Sequence, residues 1–514
     1  MKNGSAFLLI LVFLLVLPIG CASDNGFSWP TKTQTAETKA EAGSASDLVI
    51  VYLEMGNSPT DINMVVNEIN KISKSKINST IKMIGINTSN YEQQTRLMLA
   101  SREKVDLMLT GNMAFMDFSG QVMNEQLLAL NQLIEKNGPD IKYSVGEFLG
   151  ASTIKGKIFG IPTLRDEAKA AGYAIRKDLV EKYKIDTSKI KSLEDIEPVL
   201  KTIKKVEPGL APFFPGQADI NGIDTAMRLP GGDILGSDYF FSGVLMNAQD
   251  KNLKVVNYYE TPEYAAMVKL MRKWNLAGYI LPEVITNNDS SYTLVKNGKL
   301  ASFLQDIKPG IDGQVSRQCA REMVVIPIAP PISTTNVVTS FMWSIPSYCK
   351  NPGKAMDFLN LMYSDSNIIN LLDWGIEGKH YEKQADGTIY YPTGVNASNT
   401  GYGMSSGFIF GNQLLSYVWK GDPVDLWKQM ETFNKTAIKS KAFGYEFDST
   451  AVKTEYAACI DIWQQYQKAL GVGAVNPDKI LPEFIAKLKA AGADKVLAEK
   501  QRQLNVWAKE NGVK

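Results

Sequence analysis

Between Asp47 and Asn112, short apolar runs alternate with stretches of helical periodicity, and that alternation leaves few folds open. Asp47 to Leu53 (DLVIVYL) reads as a buried strand. After a Gly/Asn/Ser/Pro loop from Glu54 to Thr60, Ile62, Val65, Val66, Ile69 and Ile72 recur at three- and four-residue steps, which lays one apolar stripe along a helix. A second strand over Thr80 to Ile86, a second helix over Tyr91 to Arg102 and a third strand over Val105 to Leu109 follow. Such a sequence predicts a parallel sheet, because parallel neighbours need a helical crossover and the crossover is right-handed. Ligands of these sheets bind beyond the carboxyl ends of the strands. Glu54 and Asn57 after the first strand, and Asn112 and Phe115 after the third, are therefore candidate ligand contacts.

The chain then changes direction. Lys157 to Pro162 leads through Arg165 and Asp166 into an apolar run containing Tyr173-Ala174-Ile175, which predicts a crossing from one lobe to another between Pro162 and Tyr173. Gly298 to Phe303 reads as a strand returning to the first lobe, Val324 to Pro327 adds to it, and Phe341 to Ile345 crosses again. The expected organisation is 47–163 with 297–340 as lobe 1, and 164–296 with 341–440 as lobe 2. Strands joining two lobes make a hinge, with the ligand between them. Residues 441–514 read as a helical segment packed on the outside with little chemistry of its own. Asp448-Ser449-Thr450 caps a helix reaching Leu470, Pro482 fits a first helical turn, and Gly492 separates the last two helices.

Composition removes whole classes of function. With 514 residues, 45% of them apolar, the chain supports two cores. Lys+Arg 55 against Asp+Glu 54 gives a net charge of +1 and no clustered basic surface for nucleic acid. One histidine, His380, and four scattered cysteines cannot assemble a zinc site from several His or CxxC pairs, and a nucleophilic triad would have to use His380 itself. Neither metal nor cofactor is expected. Cys319, Cys349 and Cys459 read as small buried thiols. Gly401-Tyr402-Gly403 with Gly407 has the wrong spacing for a nucleotide fingerprint, and Asp386-Gly387 is a hairpin turn rather than a calcium loop.

The N-terminus reads as an address. Lys2 precedes an apolar run from Ala6 to Leu17, which as a helix rises only about 18 Å, short of a bilayer core of roughly 30 Å. A basic start, a short apolar stretch and small residues before a cut predict a signal peptide over 1–20. Gly20-Cys21 resembles the bacterial lipobox, in which the cysteine becomes the acylated first residue; Pro18 stands where Leu is usual. Residues 21–46 are Thr-, Ser-, Ala-, Lys- and Glu-rich, too polar to bury a core, and are expected to be a disordered lipid-anchored tether.

Gly160-Ile161-Pro162 ahead of Tyr173-Ala174-Ile175-Arg176-Lys177-Asp178-Leu179, Asp373-Trp374-Gly375-Ile376-Glu377-Gly378-Lys379-His380-Tyr381, and Phe484 to Gly492 continuing through Lys495 to Trp507 carry a family likeness. With the lipobox-like Cys21, the chain resembles the extracellular solute-binding proteins of family 1, in the LplA/LipO branch with a C-terminal domain of unknown function. The resemblance implies an α/β fold of the type II periplasmic-binding-protein kind: two lobes with a hinge, and extra C-terminal helices. It also implies a monomeric, lipid-anchored extracytoplasmic protein, as in many Gram-positive bacteria. Such a protein binds an oligosaccharide without turnover and docks to the permease subunits of an ABC importer. A surface glycoside hydrolase working with two carboxylates, and a lipoprotein sensor or adhesin, are the competing readings.

Sugar recognition needs flat apolar faces and planar donors and acceptors. By position, Arg165 and Asp166 at the first crossing either bind hydroxyls or pair with each other across the hinge. Arg228 precedes the turn Pro230-Gly231-Gly232. Phe303 and Asp306 sit on the return strand as candidate ligand contacts, and Trp343 lies on the later crossing strand, where an aromatic either faces the cleft or packs in a core. Trp374 ends a helix before Gly375, either projecting into the cleft or locking the helix end. His380 reads as a hydrogen-bonding structural residue.

Overall fold

The computed structural model describes residues 45–55, 58–113, 115–215, 231–236, 240–287, 289–403 and 406–513. Asn57, Arg228, Cys21, the signal segment and all but the end of the tether lie outside the described residues.

The first strand, β1 (Ser46–Glu54), is buried almost without interruption, with Leu48, Val51, Tyr52 and Leu53 at 1% exposure or less. Such a run suits a parallel sheet covered by helices on both faces. Helix α1 (Ile62–Ile77) turns Val65, Val66 and Ile69 inward and ends on Asn78 in the left-handed region. β2 (Ser79–Asn87) returns parallel to β1 with Ser46 opposite Ser79 and Glu54 opposite Asn87. Helix α2 (Tyr91–Ser101) then leads to β3 (Leu107–Thr110), parallel to β1 on its other side. The predicted order of elements is the observed one.

Two antiparallel strands complete this sheet: β4 (Ile161–Pro162) and, from far along the chain, a strand over Met342–Ser344 that lies between β3 and β4. The second sheet is built from β5 (Ala170–Arg176), β6 (Ala211–Phe214), β7 (Leu300–Ile307) and β8 (Met323–Pro327), with β5 and β7 at its centre, antiparallel, Ala170 opposite Ile307. Met342–Ser344 is accordingly β9.

The crossing near Pro162 is where the sequence places it, but the lobe boundaries after it are reversed. Residues 300–327 extend the second sheet, not the first, and Met342–Ser344 returns the chain to the first. The cause is register: Ser302 to Ile307 pair with Ala170 to Ile175, and Met323 to Pro327 pair with Gly172 to Arg176. A strand of apolar residues carries no mark of which of two buried sheets it joins.

Each sheet has its own core. In the first, Leu53, Leu109, Trp343 and Ile369 pack together; in the second, Ile175, Phe213, Trp274 and Phe303 do so. Phe303 and Trp343 are both fully buried, which removes Phe303 from the candidate ligand contacts and gives Trp343 the core-packing role, the second of its two readings. Phe303 meets Tyr292 edge-on at 5.7 Å, and the Trp343 indole N–H donates to the Ile409 carbonyl at 2.8 Å while its ring stacks on Phe410.

The C-terminal helices α5 (Lys453–Gly471), α6 (Pro477–Ala490) and α7 (Ala493–Glu510) follow α3 (Pro352–Ser364) and α4 (Ser366–Trp374) of the first half. Cys459, Leu470, Phe484 and Leu488 complete the second core, and Val496 and Leu504 join Leu235, Tyr445 and Phe447 in a smaller one. Pro477, not Pro482, occupies the first turn of α6; Asn476 caps it, and Pro482 sits within the helix. Gly492 divides the last helices at φ +103°, where a Cβ would lie 2.5 Å from Glu455 Cγ.

Burial of this kind makes Phe303 and Trp343 stability residues. Phe303→Ala and Trp343→Ala are each expected to cost about 3–5 kcal/mol in urea unfolding monitored by circular dichroism; an unchanged midpoint would return them to the list of cleft residues.

Candidate functional site

Three passages of chain run side by side where the halves join. Leu164 bridges to Asn412, Lys169 to Ile332, and Ile332–Ser333 pairs with Ile438–Lys439. The carboxyl end of β3 points into this junction. Asn112 donates its backbone N–H to the Thr339 carbonyl at 3.0 Å and its side-chain amide to Thr339 Oγ1 at 2.9 Å and to Glu446 Oε2 at 3.2 Å. Ser119 donates to the other oxygen of Glu446 at 3.1 Å. Asn112 is thus at the junction, while Phe115 nearby is half-buried against the first core.

Arg165 and Asp166 pair with each other, the second of the two readings left open for them. The buried guanidinium donates to Asp166 Oδ1 at 2.9 Å and to the Val337 carbonyl at 2.7 Å, and lies over the Phe341 ring. It binds one crossing segment to another. Burial raises the Asp166 carboxyl, but Lys308, Arg165 and Lys169 together outweigh it and hold the group at about 2. Lys169 also pairs with Asp306 at 3.5 Å, so Asp306 stands in an ionic group at the start of the second half. Next to these, burial pushes Glu167 up to about 8 against the pull of Arg165.

On the same edge of the first sheet as the carboxyl end of β3, the carboxyl end of β1 borders a depression of about 340 Å³. Glu54, Ser58 and Thr60 line it on one side and residues 397–403 on the other. Glu54 accepts a hydrogen bond from Ser58 Oγ at 2.5 Å. Asp61, at the start of α1, receives Lys379 at 3.1 Å and His380 Nε2 at 3.2 Å, while His380 Nδ1 accepts the Ile376 N–H at 2.8 Å. That acceptance assigns the proton of the neutral ring to Nε2, and it makes His380 a structural tie, as its sequence context suggests.

Trp374 follows the second of the two readings left open for it: its N–H donates to Ser416 Oγ at 2.7 Å, locking the end of α4, and its half-buried ring stacks on Trp419 at 5.1 Å. Tyr390 and Tyr391 also pack against Trp419, Tyr391 edge-on at 4.8 Å. Ser416 donates in turn to Asp373, whose carboxyl burial raises to about 6.

Glu446, Ser119, Trp419 and the two tyrosines are absent from the residues singled out by sequence. Glu446 meets Ser119 and Asn112 across 327 and 334 residues of chain, a separation no local pattern encodes. Among the described residues no group of three or more His, Cys, Asp or Glu is placed to hold a metal ion, and no helix is long and apolar enough to cross a membrane.

Residues 65–368, more than half of the chain, match the family described as bacterial extracellular solute-binding protein. The chain belongs to that family. Residues 441–509 of this solute-binding protein match a domain of unknown function, DUF3502. Over 527 residues it is 27% identical to a carbohydrate ABC transporter substrate-binding protein of Streptococcus pneumoniae serotype 4, with 99% of each chain covered. In structure it is similar to the N-glycan transport solute binding protein NgtS of Streptococcus pneumoniae, with a TM-score of 0.80 at 24% identity, covering 91% of this chain and 100% of that one. Against NgtS in complex with Man5GlcNAc the TM-score is 0.69 at 25% identity, covering 90% and 99%. The alginate-binding protein AlgQ2 shares the fold at a TM-score of 0.60 and 19% identity, covering 90% and 98%. The α/β, two-lobed fold class implied by the sequence is the one these neighbours have.

The His380 tie sets a pH dependence with a definite sign. Burial holds its imidazole below the ordinary value of 6.5, against the opposing pull of Asp61. The unfolded chain therefore takes up a proton near that pH while the folded one resists, and folded stability falls as the pH drops below it. Asp373 works in the opposite direction but is common to both proteins in a comparison. The stability difference between the wild type and His380→Gln is expected to shrink from pH 7.5 to pH 5 in urea titrations; a constant difference would contradict the assignment of the ring.

Proposed function

We propose that this solute-binding protein captures an oligosaccharide at the junction between its halves and delivers it, unchanged, to the permease subunits of an ABC importer. The observation that carries this reading is the end-to-end similarity to a carbohydrate ABC transporter substrate-binding protein, over 99% of both chains. The glycan complexes of NgtS support the ligand class. The site chemistry is compatible with it: Asn112 and Glu446 are planar groups suited to hydroxyls, and Trp374 offers a half-buried aromatic face. Glu54 lines the depression at the carboxyl end of β1, and Arg165 and Asp306 are engaged in ion pairs that shape the junction.

Halves that close on a ligand do so only to the extent that it binds the closed arrangement better. A thermal-shift series with Man1GlcNAc, Man5GlcNAc, other neutral oligosaccharides, amino acids and peptides tests the reading. At about a hundredfold excess over Kd, the bound sugar adds roughly 2.7 kcal/mol to stability and raises Tm. Chromatography after long incubation returns the sugar intact. Silence across the sugars, or release of monosaccharide, would refute the proposal.

The N-terminal address completes the reading. Gly20-Cys21 after a short apolar run supports cleavage and acylation at Cys21, with the polar residues that follow as a tether to the membrane. The folded part works as a monomer. In cells fed radiolabelled palmitate, the wild type is expected to carry label and partition with membranes, and Cys21→Ala to carry none; equal labelling would exclude the anchor.

A further inference from the structure

The domain of unknown function begins with a segment that reaches the junction between the halves. Residues 442–447 alternate: Tyr445 and Phe447 turn into the small core with Val496 and Leu504, and Glu446 between them turns outward. Its backbone is fixed on both sides. Thr335 Oγ1 accepts the Gly444 N–H at 2.8 Å, and the Tyr445 hydroxyl donates to the Lys500 carbonyl at 3.1 Å. The same helix, α7, plants the buried Lys500 ammonium against the carbonyls of Ile234 at 3.0 Å and Gly243 at 2.8 Å in the second half.

The Glu446 carboxylate stands where three parts of the chain meet. Asn112 and Ser119 from the first half donate one hydrogen bond to each oxygen. From the second half, Gly236 comes so near that a Cβ there would lie 3.1 Å from Glu446 Oε2. The half-buried carboxylate accepts from the neutral donors Asn112 and Ser119, and hydroxyl groups can exchange for donors of that kind, since O–H to carboxylate bonds are short and charge-assisted.

We propose that the 441–509 domain is part of the solute site and that Glu446 is a solute-contacting residue. It accepts hydrogen bonds from two hydroxyls of a neutral glycan, which take the place of the Asn112 and Ser119 donors and leave the Asn112 amide to bind the same sugar. This assignment rests on the oligosaccharide reading above. The outward turn of one acid between two buried aromatics gives the C-terminal domain its reach into the junction.

Isothermal titration of the full chain with Man5GlcNAc and Man1GlcNAc tests it on the wild type, Glu446→Gln, and Glu510→Gln as an exposed control. Glu446→Gln is expected to weaken binding about 10- to 100-fold, as loss of hydrogen bonds to a charged acceptor does, with Glu510→Gln unchanged. A second measurement needs no mutation: amide exchange at residues 442–447 of the wild type slows when glycan is added. Wild-type binding with Glu446→Gln within twofold of it, or no slowing at 442–447, overturns the assignment alone. Failure of the wild type to bind either glycan or any neutral sugar of the panel overturns the oligosaccharide reading and this assignment with it.

Discussion

The structure depends on a three-residue strand. β9 enters the first sheet antiparallel between β3 and β4, so the chain that leaves at Pro162 must come back at Met342. The 179 residues between them are obliged to form a body of their own before the first sheet is complete. Closing so long an excursion costs little more entropy than closing a short one, because the cost rises only with the logarithm of length. The insertion is secured by Trp343, fully buried and hydrogen-bonded to Ile409, and by Thr110 and Ser344, whose hydroxyls meet at 2.7 Å.

Charge at the join is handled in two ways. Arg165 is buried and keeps its charge because Asp166 and the Val337 carbonyl answer it; removal of either would strand an ion away from water. Glu167, by contrast, and Asp373 at the end of α4 are raised by burial to about 8 and about 6, and each has one carboxylate oxygen without a hydrogen-bond partner among the described residues. The held ion pair of Arg165 and Asp166 keeps the crossing segments together while the halves on either side retain separate cores.

The domain of unknown function is woven into this arrangement. Phe484 and Leu488 finish the core of the second half, Lys500 satisfies the carbonyls of Ile234 and Gly243, and Glu446 meets Asn112 and Ser119 of the first half. The helices α5 to α7 complete cores of the second half, and the segment ahead of them, residues 442–447, is what reaches the first half.

The sequence by itself determined the β–α–β–α–β start of the first half, the crossing after Pro162, the capped helix ending at Trp374 and the break at Gly492, because each is a matter of periodicity or backbone freedom within a few residues. It also pointed to Asn112 at the junction, since the end of the third parallel strand is a local feature. Only the tertiary structure decided that Leu300–Ile307 belongs to the second sheet and Met342–Ser344 to the first, and that Phe303 and Trp343 face cores. The same holds for Arg165, which pairs with its neighbour, and for Glu446, which meets residues more than 300 positions away. The reason is physical: hydrophobic burial is non-directional, so an apolar strand or an isolated acid records how much it will be buried or bonded without recording by which partner.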